Sequence, residues 1–114
     1  MDYDTMLRSL YEAFNRRDID AALAGMSAEV DWPNGWEGGR EHGQQAVRAY
    51  WTRQWAQLDP AVEPVSITDR TDGRVAVEVH QVVRDLQGEV LSDGRVVHVY
   101  ELRDGLVVRM DIED

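Results

Sequence analysis

The stretch Val96-Val97-His98-Val99-Tyr100-Glu101-Leu102-Arg103-Asp104-Gly105-Leu106-Val107-Val108-Arg109-Met110-Asp111-Ile112 decides how this chain folds. It reads as two strands, at roughly 90–103 and 107–113, separated by the turn dipeptide Asp104-Gly105. Suppose His98 faces Ile112, Tyr100 faces Met110 and Leu102 faces Val108. One face then gathers Val96, His98, Tyr100, Leu102, Val108, Met110 and Ile112, and the other sets Glu101 across from Arg109. A one-residue slip would put Arg109 and Asp111 beside Tyr100 and His98, because strand side chains alternate between faces. The apolar grouping and the charge pair select the first register, which puts His98 on the buried face.

Working back from that hairpin, Val75, Val77, Val79 and Val83 alternate with Ala76, Glu78, His80 and Arg84, which predicts another half-buried strand. Pro60 ends the element before it. Over residues 43–58 the period is helical: Val47, Tyr50, Trp51, Trp55 and Leu58 form one apolar stripe. Val30-Asp31-Trp32 is a short extended segment stopped by the turn signal Pro33-Asn34-Gly35. Asp18 caps a short helix that ends near Gly25, and residues 4–16 form an amphipathic helix in which Leu7, Leu10, Tyr11 and Phe14 recur at helical spacing. Helices followed by strands predict an α+β domain, its helices laid on one face of a curved antiparallel sheet.

At 114 residues the chain is one domain, 1–114, long enough to bury a core without staples. Its 22 acidic side chains face 12 basic ones, all arginine, for a formal net charge of −10. No lysine and no cysteine occur. Their absence excludes Schiff-base chemistry, a P-loop lysine, thiol nucleophiles, disulfides and cysteine-based metal sites. A balance so acidic argues against reading nucleic acid, which needs a basic face. No apolar run is long enough to span a membrane and no signal-peptide pattern opens the chain, so a cytoplasmic location is expected. The three histidines at 42, 80 and 98 have no short ligand spacing, so neither a metal nor a cofactor is expected.

The strings Tyr11-Glu12-Ala13-Phe14-Asn15-Arg16-Arg17-Asp18-Ile19-Asp20, Val30-Asp31-Trp32-Pro33, Gly43-Gln44-Gln45-Ala46-Val47 and Val97-His98-Val99-Tyr100 to Asp104-Gly105-Leu106-Val107-Val108 follow one another in a familiar order. In them the chain resembles the nuclear transport factor 2-like superfamily, particularly its small ketosteroid-isomerase-like and SnoaL-like polyketide-cyclase branches. The resemblance implies a cone of three N-terminal helices on a curved sheet, a deep apolar pocket, and a homodimer formed through the outer sheet face. Steroid isomerases of this type use a helix tyrosine, a base aspartate beside a proline, and a protonated aspartate on a late strand. Those positions fall here on Leu10, Trp32 and His98, so that mechanism is not carried over. Tyr11 and Asp31 neighbour the lost positions, with side chains expected to point elsewhere.

The residue chemistry that remains is histidine, carboxylate and tyrosine. His98, in an apolar setting that disfavours imidazolium, is the candidate proton carrier; the competing reading is a core histidine satisfied by a backbone or tyrosine partner. Asp31 could orient a histidine or activate water, or be an exposed acid at a strand end. Tyr100 shares the His98 face and could hydrogen-bond a ligand carbonyl, or simply be a core tyrosine. All four tryptophans lie between Trp32 and Trp55. Trp32 and Trp36 bracket the turn and are expected at a pocket mouth, while Trp51 and Trp55 serve equally as ligand wall or core. Leu10, Phe14 and Met110 complete the expected apolar lining. Two functions follow: a cofactor-independent isomerase, cyclase, dehydratase or hydrolase acting on a small apolar molecule by proton transfer, or a non-catalytic ligand-binding or dimerisation module.

Overall fold

A computed structural model describes residues 3–113. In chain order its elements are α1 (Tyr3–Asn15), α2 (Ile19–Leu23), β1 (Met26–Pro33), β2 (Arg40–His42), α3 (Gln44–Trp55), β3 (Leu58–Asp69), β4 (Val75–Asp85), β5 (Val90–Arg103) and β6 (Leu106–Glu113). The six strands form one sheet in the order β2-β1-β6-β5-β4-β3. It is antiparallel except where β1 runs parallel to β6. The helices pack on its concave face, as the alternation of apolar residues in β4 and β5 requires.

The apolar stripes find their partners. Leu7, Leu10, Tyr11 and Ala13 of α1 are buried, as are Val47, Tyr50 and Trp51 of α3. They meet Val75, Val77 and Val79 of β4 and Tyr100, Val107 and Met110 of the last hairpin in one continuous core. Burying a large side chain of this kind is worth about 1.5–3 kcal/mol, so this cluster carries the fold's stability. Asp18 caps α2 by accepting the Ala21 N–H at 3.1 Å. Among the described residues no helix is long and apolar enough to cross a membrane.

The last hairpin keeps most of the expected register: His98 faces Ile112, Tyr100 faces Met110 and Glu101 faces Arg109. Leu102 faces Val107 instead of Val108, because one extra residue is accommodated between the Glu101 and Leu102 pairings. The cause is the turn. Asp104 and Gly105 both hold positive φ, 54° and 79°, and a two-residue turn of this kind pairs Arg103 with Leu106. Val107 is consequently fully buried and Val108 only half-buried.

Three elements differ from the sequence-based expectation. The third helix ends at Trp55, and Leu58 opens an unanticipated strand. That strand, β3, holds Pro60 and Pro64 yet pairs along almost its whole length with β4. It lies at the sheet edge, where prolines remove no ladder hydrogen bond. Asn15 of α1 covers part of this edge, donating to the Val62 carbonyl (2.7 Å) and accepting the Val62 N–H (3.0 Å). The segment at 30–32 belongs to the longer β1, and the Trp36–Arg40 loop leads into the short β2, which pairs back onto it.

Candidate active site

Helices and sheet enclose a cavity of about 430 Å³, within the range of small-molecule sites. Its walls come from every layer: Phe14 of α1, Trp32 of β1, Tyr50, Trp51 and Gln54 of α3, and Val62 of the edge strand. Gln81 and Val83 of β4, Ser92, Val96 and His98 of β5, and Met110 and Ile112 of β6 form its sheet side. Trp36 stands in the loop at its mouth, 38% exposed. None of the described residues lining this cavity carries a formal charge.

One wall is aromatic. Trp32 meets Trp51 edge-on at 5.6 Å between ring centroids, and Phe14 meets Trp51 the same way at 5.3 Å. Trp55 stacks behind Trp51 at 5.7 Å and does not itself line the cavity; the Arg17 guanidinium covers its ring at 5.0 Å. Of the expected ligand wall, then, Trp32, Trp36, Trp51, Phe14 and Met110 line the cavity, while Trp55 and Leu10 do not. Trp32, expected at the mouth, is instead buried in the wall (7% exposed), because it alternates with Val30 on the inward face of β1.

His98 is 6% exposed and lines the cavity, as the hairpin register predicts. Its Nδ1 lies 2.8 Å from the Tyr11 hydroxyl, which in turn lies 2.7 Å from the Tyr100 hydroxyl. Tyr100 is fully buried and stands behind His98, not on the cavity surface. The direction of this chain can be derived. Among the described residues Tyr11 is the only hydrogen-bond partner of the Tyr100 hydroxyl, so Tyr100 must donate to Tyr11 or leave its own O–H stranded. Tyr11 must then donate to His98 Nδ1 for the same reason. That fixes the tautomer: Nδ1 accepts, and the proton sits on Nε2, the ring nitrogen left for the cavity.

The environment holds all three groups neutral. Burial pushes the His98 imidazole down from its ordinary 6.5 to about 4. Burial raises the Tyr100 hydroxyl, and burial together with the adjacent Tyr100 raises that of Tyr11. At neutral pH the site therefore presents an uncharged N–H donor backed by two hydroxyls donating in the same direction, an arrangement in which each bond polarises the next.

Asp31 is not part of this site. Its side chain points to the outer face of the sheet, where it forms ion pairs with Arg40 and, at 3.1 Å, with Arg109. Arg109 and Arg40 also hold Asp111. The reason is strand alternation: Val30 and Trp32 face inward, so Asp31 between them faces out.

Two residues outside the expected site, Tyr11 and Asn34, matter to it. Tyr11 was expected to point elsewhere, yet it lies on the same stripe as Leu7 and is 2% exposed. Asn34, 3% exposed, organises the loop that carries Trp36. Its Oδ1 accepts the N–H groups of Trp36 (3.1 Å) and Glu37 (2.7 Å), and its Nδ2 donates to Glu37 (3.0 Å) and Glu41 (2.9 Å). Arg53 of α3 anchors the loop from outside by bonding Glu37 at 2.8 Å. The Pro33-Asn34-Gly35 turn signal was the visible trace of this arrangement.

The sequence profile of the SnoaL-like domain matches residues 7–110. The chain belongs to the SnoaL-like family. Solved structures agree with this placement in the nuclear transport factor 2-like superfamily. TerC, crystallised with polyporic acid, is 28% identical to this SnoaL-like chain, with 95% of this chain and 88% of TerC covered at a TM-score of 0.81. A putative polyketide cyclase from Xanthomonas campestris pv. campestris is 27% identical (95% and 86% covered, TM-score 0.78). An NTF2-like protein of unknown function from Burkholderia pseudomallei, 24% identical, shares the fold at a TM-score of 0.82, with 96% and 88% of the chains covered. No curated protein matches the sequence.

Proposed function

We propose that this SnoaL-like protein binds a neutral, flat, largely apolar molecule with a carbonyl oxygen seated on His98 Nε2–H, and promotes enolisation of that carbonyl as the opening step of an isomerisation or ring closure. The observation that carries this reading is the Tyr100–Tyr11–His98 chain, whose dead end at Tyr100 leaves His98 as a donor towards the cavity. The resting role of His98 is therefore to donate to a ligand oxygen, not to carry a proton away from carbon. As negative charge gathers on that oxygen, a preorganised donor in a water-poor site stabilises it more than the ground state; removing one such donor elsewhere costs about 10²–10³ in rate. The aromatic wall of Trp32, Trp51 and Phe14 supplies a surface for a planar ligand. The likeness to a putative polyketide cyclase, and TerC's having been crystallised with polyporic acid, support a ligand of cyclic, oxygenated type.

A second reading, binding without turnover, is favoured by one specific observation: among the described residues no carboxylate lines the cavity to take the carbon-bound proton. In the catalytic reading that proton passes to water or to a group of the ligand itself. Hydrogen–deuterium exchange at the α-carbon of 2-tetralone in D₂O, followed by NMR, separates the two. The catalytic reading expects acceleration by the wild type and a loss of about 10²–10³ in His98→Phe. Quenching of tryptophan fluorescence by 2-tetralone without accelerated exchange would establish binding alone and refute the catalytic reading.

A further inference from the structure

We infer that the cavity has a second polar pole, formed by Gln81 and Ser92, and that it therefore selects elongated molecules carrying an oxygen function at each end. This rests on the carbonyl seat at His98 and adds what recognises the opposite end of the ligand. The inward positions of β5 run Ser92, Gly94, Val96, His98, and the side chains of Ser92, Val96 and His98 line the cavity. On the neighbouring strand Val83 pairs with Ser92, Gln81 with Gly94 and Val79 with Val96. Along this one wall the chemistry thus reads imidazole, then aliphatic side chains, then a carboxamide and a hydroxyl.

Neither Gln81 nor Ser92 spends its side chain on a hydrogen bond to another described residue, so both remain available. At about 3.3 Å per residue, the level of Gln81 lies roughly 13 Å from His98 along β5, and Ser92 roughly 20 Å. Setting aside a hydrogen bond of about 2.9 Å at each end leaves roughly 7–14 Å between the terminal oxygens of the ligand. Trp32, Trp51 and Met110 also line the cavity and offer a planar apolar body little polar competition. Gly94 sits directly across from Gln81, at the near end of the second pole. Gly94 is exposed and a Cβ built there meets nothing within 4 Å, so the space beside Gln81 is open, and a glycine inside a strand often marks where another molecule comes close to the backbone.

The test uses three probes that share one ketone: acetophenone, 4-acetylbiphenyl, and 4-acetyl-4′-hydroxybiphenyl, with affinities measured by calorimetry. The wild type is expected to bind the hydroxylated biphenyl about fivefold more tightly than 4-acetylbiphenyl, the worth of one net hydrogen bond. The double variant Gln81→Leu/Ser92→Ala should bring that ratio to near one. Gly94→Leu should weaken both biphenyl ketones about fivefold or more relative to acetophenone by occupying the open space beside Gln81. Equal affinities in the wild type, no binding of either biphenyl ketone, a preference that survives the double variant, or a Gly94→Leu protein that treats all three ketones as the wild type does would each overturn the second pole. Failure of the carbonyl seat reads differently: His98→Phe would then leave the affinity for 4-acetylbiphenyl unchanged, whatever the ratio between the two biphenyls.

Discussion

Replacing Tyr11 with phenylalanine would strand two buried polar groups at once. The Tyr100 hydroxyl, which is fully buried, loses its acceptor, and His98 Nδ1 loses its donor. Each stranded group costs about 1–3 kcal/mol, so Tyr11→Phe should destabilise the fold by roughly 2–6 kcal/mol. At this chain length that corresponds to a fall in Tm of about 10 °C or more. Tyr100→Phe is milder, about 1 kcal/mol, because Tyr11 keeps its donation to His98 and no donor is stranded. The informative variant is the double one. In Tyr11→Phe/Tyr100→Phe the stranded hydroxyl is gone, so it should be no less stable than Tyr11→Phe alone, a strongly non-additive result. Urea denaturation gives the stabilities, and long-range ¹H–¹⁵N correlation spectra report the tautomer. The wild type should show a protonated Nε2 and an unprotonated Nδ1 at His98, and Tyr11→Phe a loss of that preference. Additive destabilisation, or a proton on Nδ1 in the wild type, would refute the directed chain.

Three other outcomes are expected. Because the unfolded chain protonates this imidazole near pH 6.5 and the folded chain only near 4, the unfolded state holds the extra proton between those values. Stability should therefore fall by about 3 kcal/mol as pH drops from 6.5 towards 4, and the urea midpoint of His98→Gln should lack that component of the pH slope. Asn34→Ala should cost about 1–3 kcal/mol by stranding the loop N–H groups, and should make Trp36 fluorescence more accessible to iodide without altering the burial of Trp32 and Trp51. Asp31→Asn, on the outer face, should leave ketone binding unchanged and cost no more than about 1 kcal/mol, with an effect that shrinks as salt is raised; a loss of binding in that variant would return Asp31 to the site.

How much could be read without coordinates depended on whether the pattern had a single period. The inward face of β5 followed from strict alternation and one cross-strand charge pair, and so His98 was placed correctly. The extra residue near the turn was invisible, since Val107 and Val108 are both apolar and alternation cannot say which is inward. The edge strand β3 was hidden by Pro60 and Pro64, which read as breaks but are tolerated where no ladder bond is lost. In α1, Leu10 and Tyr11 are both buried because the helix packs against α2 on one side and β3 on the other. The resemblance puts the lost catalytic tyrosine at Leu10 and turns Tyr11 away, whereas this packing buries both. Asp31 could have been excluded from alternation with Val30 and Trp32 alone.

The acidity of the chain bears on its ligand through where the charges are not. Twenty-two acidic and twelve basic side chains are distributed over 114 residues, yet none of the described residues lining the cavity is charged. Arginines and carboxylates instead neutralise one another outside it, as in the Asp31, Arg40, Arg109 and Asp111 cluster on the outer sheet face. A carboxylate ligand would approach against a net charge of −10 and then meet no cation among the described lining residues. Burying an unpaired anion costs far more than a hydrogen bond to a neutral imidazole returns. A neutral ligand meets neither penalty on entry. In the proposed enolisation, negative charge that arises only during reaction would form where the polarised Nε2–H already points, and the same interior that disfavours anionic ligands would strengthen that one interaction. Under that proposal, selection against a charged ground state and support for a charged transition state share the uncharged cavity lining, with the neutral Tyr100–Tyr11–His98 chain supplying the second.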